Sequence, residues 1–212
     1  MKKIWFFVEG DSEENFANNL IRRSYFGKAI ISRDLLKFIE DTEDEDVNLC
    51  YVDNCGSVDR IPHEINENYY LTERTNVDFI FIVCDLEREL CYINRRQKII
   101  DVLNENVDQN KIKYVFSKPK IEAEYWHSKE TVKRVLEIEY RKKFESHNIP
   151  PVNIPNEITN PMADLKQLFK AVDLKYREAS FSSEFFSRVN FEESSSPAIC
   201  RLINLLENSF QQ

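Results

Sequence analysis

The run Ile4-Trp5-Phe6-Phe7-Val8 contains no polar residue, so it reads as a strand buried on both faces rather than as one side of an amphipathic element. Phe79 to Cys84 is a second such run, and Val47 to Val52 and Ile112 to Ser117 read as further strands. Between them the apolar positions switch to helical spacing. Phe16, Ala17, Leu20 and Ile21 predict a helix over about 12–25 that Gly27 ends, and similar patterns predict helices over about 33–39, 58–72 and 93–106. Strand alternates with helix, which predicts an α/β fold whose mostly parallel sheet is built with right-handed crossovers and flanked by helices.

Beyond the last strand the pattern becomes helical throughout. Ser128 is placed to cap a helix running to about Glu145, and Asn148-Ile149-Pro150-Pro151-Val152-Asn153-Ile154-Pro155 cannot continue it. That stretch marks the expected boundary between a domain over 1–148 and a helical C-terminal appendage over 149–212. The appendage is expected to hold helices over 162–172 and 181–189, then a last one capped by Ser196 with Pro197 in its first position. Phe181, Phe185 and Phe186 fall at helical spacing and read as core rather than as a platform for stacking bases.

Chemistry is expected where the apolar strands stop. The first ends in Glu9-Gly10-Asp11-Ser12-Glu13-Glu14, where Asp11 or Ser12 can cap the next helix and Glu13 and Glu14 fall in its first turn, favoured by the helix dipole. Glu9 has no such local explanation, and Gly10 beside it is one of only three glycines, suited to a tight turn or to close approach of a ligand. The run from Phe79 likewise ends in Asp85-Leu86-Glu87. Neighbouring strands lie roughly 4.8 Å apart, so Glu9, Asp85 and Glu87 are expected to meet at the C-terminal edge of the sheet and to share one divalent ion. A further polar stretch, Lys118-Pro119-Lys120-Ile121-Glu122-Ala123-Glu124-Tyr125-Trp126, follows the strand at 112–117; Glu122 and Glu124 would share a face if it is extended.

Composition narrows the classes. No apolar stretch is long enough to span a membrane and no signal-peptide pattern opens the chain, so a cytoplasmic protein is expected. Five cysteines without a Cys-x-x-Cys pair argue against a disulfide framework or a zinc knuckle. A phosphate-binding Gly-Lys-Ser or Gly-Lys-Thr loop is absent from the sequence. The formal net charge of −8 does not advertise nucleic-acid binding, although bases gather at Arg95-Arg96-Gln97-Lys98, between Lys111 and Lys120, and at Arg141-Lys142-Lys143.

Val8-Glu9-Gly10-x-Ser12-Glu13, followed some seventy residues later by a strand ending in Asp85-x-Glu87, resembles the Toprim domain of topoisomerases, primases, small ribonucleases and OLD-type nucleases. The segment Lys120 to Trp126 and the late Ser-Ser-Ser-Pro are similar to small stand-alone bacterial Toprim proteins. One departure is Glu87, where the family's second motif usually ends in Asp; the charge is kept and the reach is longer. The resemblance implies a Mg²⁺- or Mn²⁺-dependent nuclease acting on DNA or RNA, tRNA included. Asp85 and Glu87 would hold the metal, Glu9 would bind it or exchange a proton, Glu13 would help place a second ion, and Lys118 or Lys120 would offset phosphate charge. The resemblance also favours Glu124 as a site acid. It further implies an anti-phage defence effector working with an ATPase of the ABC or OLD type, and it is compatible with a homo-oligomer. The alternative is a Toprim-like interaction module that keeps the acids for structure or regulation inside a larger complex.

Overall fold

A computed structural model of the 212-residue chain describes residues 2–23, 29–32, 34–40, 47–74, 76–86, 91–118, 120–139, 160–171 and 173–211. Five strands, β1 (Lys3–Val8), β2 (Ala29–Ser32), β3 (Asn48–Asn54), β4 (Phe79–Asp85) and β5 (Ile112–Ser117), form one parallel sheet in the order β2-β3-β1-β4-β5. β1 is central and every one of its positions is buried. Ile4, Phe6 and Val8 face one core with Phe81 and Val83, whereas Trp5 and Phe7 face a second with Ile80 and Ile82. Two covered faces explain why these strands read as unbroken apolar runs.

The order of the strands decides where the helices lie. From β1 the chain runs outward to edge strand β2 through α1 (Asp11–Arg22); it then advances the other way through α2 (Leu35–Glu40), α3 (Ile61–Arg74) and α4 (Tyr92–Ile100). Right-handed crossovers in opposite directions put helices on opposite faces. Accordingly Phe16, Ala17, Leu20 and Ile21 of α1 pack with Ile4, Phe6 and Val8, and Phe38, Ile61, Ile65, Tyr69 and Ile99 pack with Trp5 and Phe7. α1 and α4 therefore lie on opposite faces of the sheet, which makes the adjacent ends of β1 and β4 a topological switch point, where sheets of this kind form a crevice.

The later helices, α5 (Ala123–Trp126), α6 (Lys129–Glu139), α7 (Pro161–Ala171), α8 (Glu178–Arg188) and α9 (Pro197–Gln211), return to the α1 face. Tyr125, Leu136, Leu165, Phe169, Phe185 and Leu202 share one apolar cluster with Phe16. Phe181, Phe185 and Phe186 are fully buried; the Tyr125 and Phe185 ring centroids lie 4.6 Å apart and those of Phe16 and Phe186 5.3 Å. Full burial of each such ring stabilises the fold by roughly 1.5–3 kcal/mol. Ser196 caps α9 as its sequence suggests, its Oγ accepting from the Ile199 N–H at 3.1 Å.

Some expectations shift. β2 has no counterpart in the sequence reading. α1 stops at Arg22 because Arg23 is extended, earlier than Tyr25; Gly27, the connector 148–155 and the boundary near 148 lie outside the described residues. α4 ends at Ile100 rather than near Asn106, because Asn66 of α3 clamps the chain that follows: its Nδ2 donates to the Val102 carbonyl at 2.9 Å and its Oδ1 accepts from the Asn104 N–H at 2.8 Å. Among the described residues no helix is long and apolar enough to cross a membrane.

Candidate functional site

The register of the two central strands brings the first pair of acids together. Val8 lies opposite Val83, so Glu9 leaves β1 level with the end of β4, and its N–H donates to the Val83 carbonyl at 3.2 Å. Its carboxylate lies across the end of β4, with Oε2 accepting from the Asp85 N–H at 2.9 Å. Asp85 is 4% exposed. Its Oδ1 accepts from the Ile121 N–H at 2.7 Å, and its Oδ2 stands 3.9 Å from the Lys120 ammonium.

The start of α1 adds a third acid. Gly10 is the N-cap residue and no side chain caps the helix, so neither Asp11 nor Ser12 takes the expected capping role. Gly10 itself is extended, a conformation any residue adopts; a Cβ there would sit 3.6 Å from Glu13 Oε2. Glycine thus leaves that carboxylate uncovered rather than relieving backbone strain. Glu13 is buried, and Asp11 and Glu14 each accept from the Asn54 amide at 3.0 Å, which ties this helical turn to the end of β3.

Two more carboxylates complete the cluster. Glu122, 2% exposed, precedes α5 with its Oε2 buried and lacking a hydrogen-bond partner. Glu178, in the first turn of α8, accepts from the Ser12 hydroxyl at 3.2 Å. Electrostatics links the members. Burial, then repulsion from Glu9, Glu122 and Glu178, pushes the Glu13 carboxyl up to about 8, with a backbone hydrogen bond opposing. Burial, then Glu13, Glu9 and Glu122, pushes Asp85 well above the carboxylate range against the pull of Lys120. Glu122 is raised chiefly by burial and, among charges, by Glu178 and Glu9.

Glu124 stands apart. The segment from Ile121 to Trp126 is turned and helical rather than extended, and two residues on such a turn are roughly 200° apart. Glu124 therefore bonds to the Ser196 hydroxyl at the start of α9. Burial raises its carboxyl to about 7, Ser196 opposes, and no other acid contributes. Lys118 is exposed just past β5. Glu87 lies outside the described residues.

Sequence reasoning missed Glu178. A first-turn acid on a distant helix carries no local signal, and only the pairing of α8 with α1 brings it in. Among the described residues no three His, Cys, Asp or Glu side chains are arranged to hold a metal ion. The donor chemistry nevertheless fits a hard divalent cation, since the cluster offers carboxylate oxygen only, Glu122 Oε2 lacks a partner, and Lys120 is the cation that opposes the charge of both Asp85 and Glu122.

Fold and site together define a five-stranded parallel α/β protein with a partly buried acid cluster at the C-terminal edge of its central strands. Comparison with known proteins finds no matching family model, curated protein or solved structure.

Proposed function

We propose that this crevice is the active centre of a Mg²⁺- or Mn²⁺-dependent nuclease that hydrolyses phosphodiester bonds of DNA or RNA. The observation that carries the reading is the gathering of buried Glu13, Asp85 and Glu122 with half-buried Glu9 and exposed Glu178, repelling one another while Lys120 opposes the charge of Asp85 and Glu122. Buried acids in such excess are costly unless a cation joins them. Glu9 and Asp85, which meet at the strand ends, would hold it, and Glu13 would close on it once the ion displaces its proton; Glu87 follows Asp85 by two positions in the sequence. A bound divalent ion there supplies Lewis-acid activation and offsets phosphate charge. Lys120, beside Asp85, adds positive charge for the phosphate, and exposed Lys118 lies next along the same path.

The chain's lack of a nucleotide-binding loop suits a division of labour in which a partner ATPase of the ABC or OLD type supplies any ATP hydrolysis, as in an anti-phage effector. The test is cleavage of labelled DNA and RNA with Mg²⁺, Mn²⁺ or EDTA, for the wild type, Glu9→Gln and Asp85→Asn. Metal-dependent cleavage lost in both variants supports the reading; activity that survives EDTA and both substitutions ends it.

A second reading rests on a different observation. Glu9 and Asp85 each accept a backbone N–H bond, which is what acids retained for structure in an interaction module would do. Calorimetry separates the two: a folded chain with no Mn²⁺ or Mg²⁺ uptake at millimolar concentration favours the module.

A further inference from the structure

β5 is an edge strand, and its outer side is occupied by a cleft. The cavity, about 420 Å³, is walled by α4 and α9, with Leu86 also in its lining. Small-molecule pockets span roughly 300–1,000 Å³. Charge sets this cleft apart. A chain of formal net charge −8 presents Arg96, Lys113 and Arg201 here and, among the described lining residues, no acid.

Lys113 is already engaged, its ammonium 5.3 Å from the Phe79 ring centroid and donating to the Asn110 carbonyl at 3.3 Å. The two arginines are engaged only in part. The Arg96 guanidinium carbon lies over the Tyr114 ring at 5.2 Å from its centroid; a guanidinium carries five N–H donors, so a contact to one side chain leaves others for an anion. Arg201 uses Nε on the Tyr114 carbonyl at 2.8 Å, which leaves its two terminal nitrogens. Aromatic surface lies beside these donors. Tyr114 and Phe116 stack with centroids 5.9 Å apart, and Tyr92 leaves 57% of its surface exposed.

Each simpler occupant uses only part of this. A bare phosphate would engage the arginines and leave the rings idle, and an apolar ligand would do the reverse. A peptide strand adding to the edge would need the Tyr114 carbonyl, which Arg201 already takes. A planar base joined to a phosphate uses all of it. We propose that the cleft between β5, α4 and α9 binds a nucleotide, its base against Tyr92 and its phosphate on Arg96 and Arg201, either as a free nucleotide or as one unit of a single-stranded nucleic acid. Binding here is independent of hydrolysis at the acid crevice.

The test uses the full chain in EDTA, so that cleavage plays no part. AMP, inorganic phosphate and a short single-stranded oligonucleotide are titrated separately by calorimetry, with circular dichroism as the check on folding. Saturable AMP binding, weakened about tenfold or more by Tyr92→Ala and by Arg201→Ala, supports the free nucleotide. Oligonucleotide binding with the same sensitivity and no AMP binding assigns the site to a strand. Should Arg201→Ala unfold the chain, Arg96→Ala, at an exposed position, replaces it with the same expected loss. The proposal is overturned if neither ligand saturates at millimolar concentration, if the variants bind as the wild type does, or if phosphate alone binds as tightly as AMP.

Discussion

Glu122 and Glu124 lie two residues apart in the chain, yet Glu124 is handled differently from Glu122 and the acids it joins, Glu13 and Asp85. Glu124 is alone with a hydroxyl, and burial lifts its carboxyl to about 7. Glu13 and Asp85 are equally hidden, yet each is raised further by like charges, and Glu122 has an oxygen left bare. A lone buried acid is stabilised by holding its proton and one good hydrogen bond, so it suits structure. A crowd of acids is stabilised better by a cation than by protons, so it suits chemistry.

The largest expected difference is catalytic. Asp85→Asn should lower metal-dependent cleavage by at least about a hundredfold, while thermal unfolding shows equal or greater stability because a repelled charge is gone. Glu124→Gln, by contrast, should leave cleavage within about twofold while the Ser196 bond persists. Loss of activity in both variants alike would erase the comparison.

Stability against pH sharpens it. The folded protein holds the Glu13 proton up to about pH 8, whereas the ordinary value is 4.5. Between those limits the folded state binds the extra proton, so stability falls as pH rises, by up to roughly 1.4 kcal/mol per unit from this group. Glu13→Gln should flatten that slope and raise stability at pH 8, read by urea unfolding. Glu124 adds a fall of the same sign ending near pH 7. Millimolar Mn²⁺ should suppress the Glu13 slope and leave the Glu124 slope unchanged.

A smaller effect concerns packing. Glu124→Ala removes the acceptor for Ser196 and should cost about 1–3 kcal/mol in denaturant unfolding, without altering Mn²⁺ affinity. The smallest is Lys120→Ala. Its side chain is 41% exposed and its ammonium lies 3.9 Å from Asp85, so stability should change by less than about 1 kcal/mol; cleavage should fall more than stability if the lysine meets phosphate.

What the sequence could disclose follows from these contrasts. β1 and β4 were legible because strands covered on both faces leave unbroken apolar runs, and acids where the runs stop give away the crevice. β2 was not: four residues at an edge, partly exposed along their length, make no such run. Glu122 and Glu124 could not be told apart until the backbone between them was seen to turn. Glu178 was invisible, since an acid in the first turn of a helix is the commonest helix-terminal pattern and only tertiary packing separates it from its peers.

The bond between Ser12 and Glu178 joins positions 166 apart, and it bears on when the crevice comes into being. On the ribosome β1 and Glu9 after it emerge before α8. Contacts of such long sequence separation form slowly and late in folding. A chain interrupted before residue 178 therefore lacks the Glu178 contact of the acid crevice, and a growing chain carries the same gap until α8 has emerged. Assembly of the crevice is in this way timed by translation itself.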